Sequence, residues 1–299
     1  MLNLYWPHAN INGISDQVTF LRKFANTFNI GFRISPYLDR NSENFLIENF
    51  ELSHVNYIAN FARDNSAKLH LVCTEFLEAL TASTFELNHQ RLSRKHQMNT
   101  RFENLSQLKG TFDSLISLWG NPSLETYADV LKCSNVVNLS LWNNSFEPSQ
   151  ETNYKYDMYF AGQLTESRLK KLEFLKEQGF DVFRESRFVP DRERIRHVQN
   201  CRFVLNLTQD SDWRGFSTGR AYFALSNGKL LVSDDSHSQV HRPGVIKLNE
   251  IDLMTLHNYD TSQFRGQEIA EMLGLTEDGK SETERFMRYL LEGVTQYVP

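Results

Sequence analysis

Short apolar runs recur along the chain, and between them lie longer stretches whose apolar residues fall at helical spacing. The runs at residues 2–6, 30–34, 68–73, 114–119 and 136–142 predict strands. Val18, Leu21, Phe24, Ala25 and Phe28 mark one face of a helix that Ser15 or Asp16 can cap. Residues 43–63 and 86–108 read as helical, and Pro122 opens a helix as far as Lys132. Residues 143–154 (NNSFEPSQETNY) are polar and irregular, the best linker in the chain. After them the alternation restarts, with strands at 157–160, 180–183, 202–207, 229–233 and 244–248 and helices at 166–178 and 191–200, then at 267–273 and 282–297. Apolar strands alternating with amphipathic helices are the pattern of a parallel sheet covered on both faces. The fold class is therefore α/β, with two Rossmann-like domains at 1–150 and 151–299 and a ligand cleft expected between their strand C-terminal ends.

Composition narrows the classes. The 299 residues are 40% hydrophobic and 23% charged, as in a globular protein. A net charge of −5 argues against a broad surface that tracks phosphates along nucleic acid, though a local basic groove remains compatible with it. Cys73, Cys133 and Cys201 are far apart and lie in or beside apolar runs, the usage of reduced core thiols in a cytoplasmic protein. No run approaches the roughly 18 apolar residues of a membrane span, and residues 1–10 carry neither the basic nor the apolar region of a signal peptide.

The candidate chemistry centres on residues 212–235. Gly215, Ser217, Thr218 and Gly219 open a helix bearing Arg220, Asn227-Gly228 ends it, and an apolar strand follows. Backbone N–H groups and the positive dipole end at such an opening suit a phosphate, and Arg220 adds a charge-assisted bond. A second small-residue turn, Gly162 and Gln163 through Thr165, leads into a helix carrying Arg168. Two helix ends and two guanidinium groups can hold a diphosphate. Neither the P-loop nor the dinucleotide glycine fingerprint is present. In the first half, Thr74-Glu75 ends a buried strand where a carboxylate can accept a hydroxyl proton. Asp16 and His8 are further candidates at the same rim. Asp210-Ser211-Asp212 and Asp234-Asp235 are acidic groupings that could hold a metal beside a diphosphate, but so short a pattern assigns no metal site.

Residues 156–176 and 215–235 resemble glycosyltransferases of the GT-B fold, two Rossmann-like domains of which the second binds the sugar nucleotide. The second segment looks like that of spore-coat-type glycosyltransferases and phage DNA beta-glucosyltransferases, which runs Arg-x-aromatic-Glu-x-Met/Leu-Ala. Here it reads Arg220-Ala221-Tyr222-Phe223-Ala224-Leu225-Ser226. Residues 68–75 (KLHLVCTE) are similar to the phage enzymes' strand ending in Thr-Asp, whose Asp is the catalytic base. The resemblance implies Glu75 as base and a C-terminal helix that crosses back to the first domain, as GT-B chains often do. One position departs from it: the family's ribose-binding Glu falls at Phe223, which accepts no hydroxyl hydrogen bond. Asp234, Asp235 and Glu185 are the available substitutes.

The resemblance implies transfer of a sugar from a nucleoside diphosphate sugar, a UDP-sugar, to an acceptor hydroxyl on a glycan, a small molecule or hydroxymethylated DNA bases, with no further cofactor and no metal. Glu75 and Asp16 are the candidate catalytic groups; Gly162, Gln163, Arg168, Gly215, Ser217, Thr218, Gly219 and Arg220 are the donor-binding ones. Two alternatives stay open: a non-catalytic sugar-nucleotide-binding module, and a metal-dependent transferase of the GT-A type using Asp210 and Asp212.

Overall fold

A computed structural model of the chain describes residues 1–9, 11, 14–48, 50–63, 68–74, 77, 100–118, 123–139, 153–162, 164–185, 189–208, 217–234, 244–249, 251–261 and 277–292. The chain divides into two compact units, Met1–Leu141 with Glu277–Pro299, and Trp142–Thr276.

Unit 1 holds β1 (Leu2–Tyr5), α1 (Ser15–Thr27), β2 (Phe32–Ser35), β3 (Glu43–Ile47), α2 (Leu52–Ala62), β4 (Lys68–Cys73), β5 (Ser114–Leu118), α3 (Leu124–Leu131) and β6 (Val136–Leu139). The strands form one sheet in the order β2-β1-β3-β4-β5-β6, and every pairing is parallel. Leu46, Leu69, Leu71, Cys73, Leu115, Val55 and Tyr127 are buried together between strands and helices. Glu43–Ile47 is a strand, not the start of the helix that the sequence pattern suggests. Three consecutive apolar residues, Phe45, Leu46 and Ile47, carry no decisive period, and the place of the segment between β1 and β4 settles its conformation. Buried His70 ties three strands, its Nδ1 2.7 Å from Ser114 Oγ and its Nε2 2.8 Å from Glu43 Oε2.

Unit 2 runs β7 (Tyr156–Phe160), α4 (Glu166–Glu177), β8 (Val182–Arg184), α5 (Asp191–Gln199), β9 (Cys201–Asn206), α6 (Thr218–Ser226), β10 (Leu230–Ser233), β11 (Val245–Lys247) and α7 (Leu253–His257). The five strands are all parallel, in the order β11-β10-β9-β7-β8. The short α7 escaped the sequence pattern. It is held by its cap, Asp252, whose carboxylate accepts the Met254 and Thr255 N–H groups. The closing helix α8 (Glu277–Glu292) groups with unit 1. Glu282 Oε1 there accepts the Asn138 N–H on edge strand β6 at 3.0 Å, and Phe286 stands edge-on to His70.

All three cysteines are buried and free. Burial pushes each thiol above its ordinary value, that of Cys201 to about 12. Among the described residues no helix is long and apolar enough to cross a membrane.

Candidate functional site

Unit 2 has the strand order of a doubly wound sheet whose first strand, β7, lies between the second, β8, and the third, β9. The chain leaves β7 in one direction and returns to pass on in the other, so the carboxyl ends of β7 and β9 flank the switch point where such sheets bind ligands. Successive strand residues point to opposite faces. Phe160 of β7 lies under the Arg168 guanidinium of α4, at 5.7 Å, and its neighbour Tyr159 packs on Phe223 of α6. The two helices therefore cover opposite faces of the sheet, and both begin at the same end of it.

Each helix opens in the same way. Thr165 Oγ1 caps α4 by accepting the Arg168 N–H at 3.3 Å, and Ser217 Oγ caps α6 by accepting the Arg220 N–H at 3.4 Å. Both caps thus place an arginine at the third helical position. Its side chain turns back over the opening helix end. Arg168 is 3% exposed, and its Nε and Nη2 donate to the Leu207 carbonyl at 3.0 and 2.8 Å. Arg220 donates from Nη1 to Asn206 Oδ1 at 2.6 Å and from Nη2 to the Ala161 carbonyl at 3.1 Å. Asn206 is oriented in turn by donating Nδ2–H to Ser233 Oγ at 2.8 Å.

The two guanidinium groups meet at Gly162, the second residue beyond β7. A Cβ there would lie 3.3 Å from Arg168 Nη1 and 3.3 Å from Arg220 Nη2, and the Gly162 φ of 152° disfavours any other residue. Gly162→Ala is therefore expected to lose roughly 1 to 3 kcal/mol of stability. Denaturant unfolding of the variant against the wild type reads the loss.

A third cation stands beside them. Lys171, one turn beyond Arg168, donates to Thr208 Oγ1 at 3.0 Å and pairs with Asp234. Asp234 accepts the Thr208 N–H at 2.8 Å and its hydroxyl at 2.9 Å. Both of its oxygens are thus engaged in fixing the loop after β9. Asp234, one of the available substitutes for the ribose-binding Glu, is thus already tied to Thr208 and Lys171. Lys171, Asn206 and Thr208 were missed as site residues. The repeated hydroxyl-x-x-Arg, Thr165 to Arg168 and Ser217 to Arg220, is the signal in the sequence that links the two helix openings.

The chain matches no protein-family model and no curated protein. Two helix N-termini, two guanidinium groups and a positive-φ glycine at a switch point suit a diphosphate. Of the expected donor residues, Gly162, Arg168, Ser217, Gly219 and Arg220 lie at these two openings. Gln163, Gly215 and the Thr218 side chain lie outside the described residues, as do Asp210, Asp212 and Asp235. Among the described residues no group of three or more His, Cys, Asp or Glu side chains is placed to hold a metal ion.

In unit 1, Glu75 also lies outside the described residues, but the strand end it follows is well defined. Buried Glu48, just beyond β3, accepts three hydrogen bonds on Oε1, from the Thr74 N–H at 2.7 Å, the Thr74 hydroxyl at 2.8 Å and the Tyr127 hydroxyl at 2.8 Å. Glu48 was missed because it falls in the segment read as a helix. Asp16 lies in the first turn of α1, where a carboxylate complements the helix dipole, but the N-cap is Ile14. His8 follows β1, its ring 4.6 Å from Trp6 and 5.4 Å from His54, which stands in the first turn of α2.

Desolvation, above all, holds the His54 imidazole below the ordinary histidine value; Glu51 opposes this and His8 adds to it. The folded chain thus binds a proton here less readily than the unfolded chain. The stability this site contributes is full above the unfolded value near 6.5 and is lost as pH falls toward the folded one. His54→Gln should flatten the fall of stability below pH 6.5, as measured by denaturant unfolding across pH.

Proposed function

We propose that the chain is a glycosyltransferase of the GT-B kind, taking a UDP-sugar in unit 2 and moving the sugar to an acceptor hydroxyl. The observation that carries this reading is the convergence of Arg168 and Arg220, from helices on opposite faces of one sheet, on Gly162 at the switch point. Such a cradle stabilises the diphosphate as it leaves, where charge develops in the transition state. The acceptor's proton is assigned to Glu75, on the resemblance of residues 68–75 and on the strand end that Glu48 fixes. A glycan, a small molecule or hydroxymethylated DNA is the acceptor class, and the net charge of −5 favours the first two over a long nucleic-acid track.

A second reading, a sugar-nucleotide-binding module without turnover, is favoured by Phe223, which packs against Tyr159 and under the Arg194 guanidinium, 3.9 Å from the ring centroid. Release of UDP from a panel of UDP-sugars, measured in chelator and in manganese, separates the readings. Slow hydrolysis in chelator, accelerated by an acceptor, supports the transferase. Binding with no release supports the module. Release only in manganese supports the GT-A alternative.

A further inference from the structure

We propose that Glu185 receives the ribose hydroxyls of the nucleotide bound in unit 2; this rests on the diphosphate reading of the Gly162 cradle. The placement comes from topology. In parallel α/β units that open with a glycine turn leading into a helix, a carboxylate at the end of the next strand, roughly 20 residues on, accepts the ribose hydroxyls. Unit 2 follows that course: β7, Gly162, α4, β8, then Glu185 as the first residue beyond β8. The register brings it close to the cradle. Phe160 pairs with Arg184, and the Glu185 N–H donates to the Phe160 carbonyl at 2.9 Å. Glu185 is therefore level with Ala161, one strand spacing of about 4.8 Å away, and the Ala161 carbonyl is one of the groups that hold Arg220.

The carboxylate is prepared for the role. Its side chain is 10% exposed, and Oε2 accepts a hydrogen bond from His197 Nδ1 at 2.8 Å and a longer one from the Tyr159 hydroxyl at 3.4 Å. Those contacts fix its rotamer. Among the described residues Oε1 makes no hydrogen bond. An ionised carboxylate only accepts, and two vicinal hydroxyls only need to donate to it. Phe223 meets the same Tyr159 ring from α6, at 6.4 Å. The carboxylate absent from the helix is thus present just beyond β8, against the same tyrosine.

The test is calorimetry on the full chain with four probes: UDP, 2′-deoxy-UDP, 3′-deoxy-UDP and inorganic pyrophosphate. Wild type should bind at least one deoxynucleotide roughly 10- to 100-fold more weakly than UDP. Glu185→Gln should weaken UDP by a similar factor, bind ribo and deoxy forms alike, and leave pyrophosphate affinity unchanged. Equal wild-type affinity for all three nucleotides, or discrimination that survives in Glu185→Gln, overturns the ribose assignment while leaving the cradle standing. Failure of both pyrophosphate and UDP to bind removes the cradle and this assignment with it. The wild-type comparison needs no variant, so a poorly folding Glu185→Gln chain does not blunt the test.

Discussion

Glu75→Gln is expected to slow sugar transfer by roughly 10²- to 10⁴-fold while leaving UDP affinity unchanged. The substitution keeps the side chain's shape and removes its basicity. The reason for choosing this position is the strand before it. β4 is buried from Leu69 to Cys73, and its end is pinned by Glu48 through both the backbone and the hydroxyl of Thr74. A residue leaving so fixed a point can hold a base at a repeatable place, which proton transfer requires. Glu48→Gln offers a companion measurement. It should lower the transfer rate less than Glu75→Gln does and leave UDP affinity alone, since Glu48 acts through Thr74. Unchanged turnover in Glu75→Gln would move the base assignment to Asp16 or to a mechanism needing none.

The second large effect belongs to Arg220. Arg220→Ala should weaken UDP binding roughly 10- to 100-fold, since a hydrogen bond to a charged group contributes about 1.5 to 3 kcal/mol. Glu75→Ala should leave UDP binding nearly as in wild type. Arg220 is suited to such a test because its own supports, Asn206 and Ala161, survive its removal. Arg168 is a poorer subject: at 3% exposure it also fills space against Phe160 and holds Leu207, so its loss would mix binding with stability. Equal UDP affinity in wild type and a folded Arg220→Ala chain would take Arg220 out of the donor site.

The parts legible in the sequence were those that local chemistry determines. β4 showed itself as an apolar run, and α1 as apolar residues at helical spacing. Arg168 and Arg220 stood out because each follows a hydroxyl-bearing helix opening, a local pattern. That they meet at Gly162 depends on β7 lying next to β9, and strand order is a long-range property no local pattern carries. The same limit hid Glu48. Its segment is too short to show a strand period, and its partners Thr74 and Tyr127 are distant in the chain. The partners of Asp234 were hidden for a related reason: Thr208 and Lys171, which take up its oxygens, are distant in the chain. Glu185 was only one substitute among three until the register of β8 on β7 set it beside Ala161.

In the proposed reading, unit 2 grips a diphosphate with Arg168, Arg220 and two helix N-termini. Calorimetric titration of the wild-type chain in chelator, with UDP against uridine, tests it most directly. The expected result is metal-independent UDP binding at least roughly 100-fold tighter than uridine, the factor corresponding to about 2.7 kcal/mol from the diphosphate contacts. UDP and uridine binding equally, or neither binding at all, would contradict the claim.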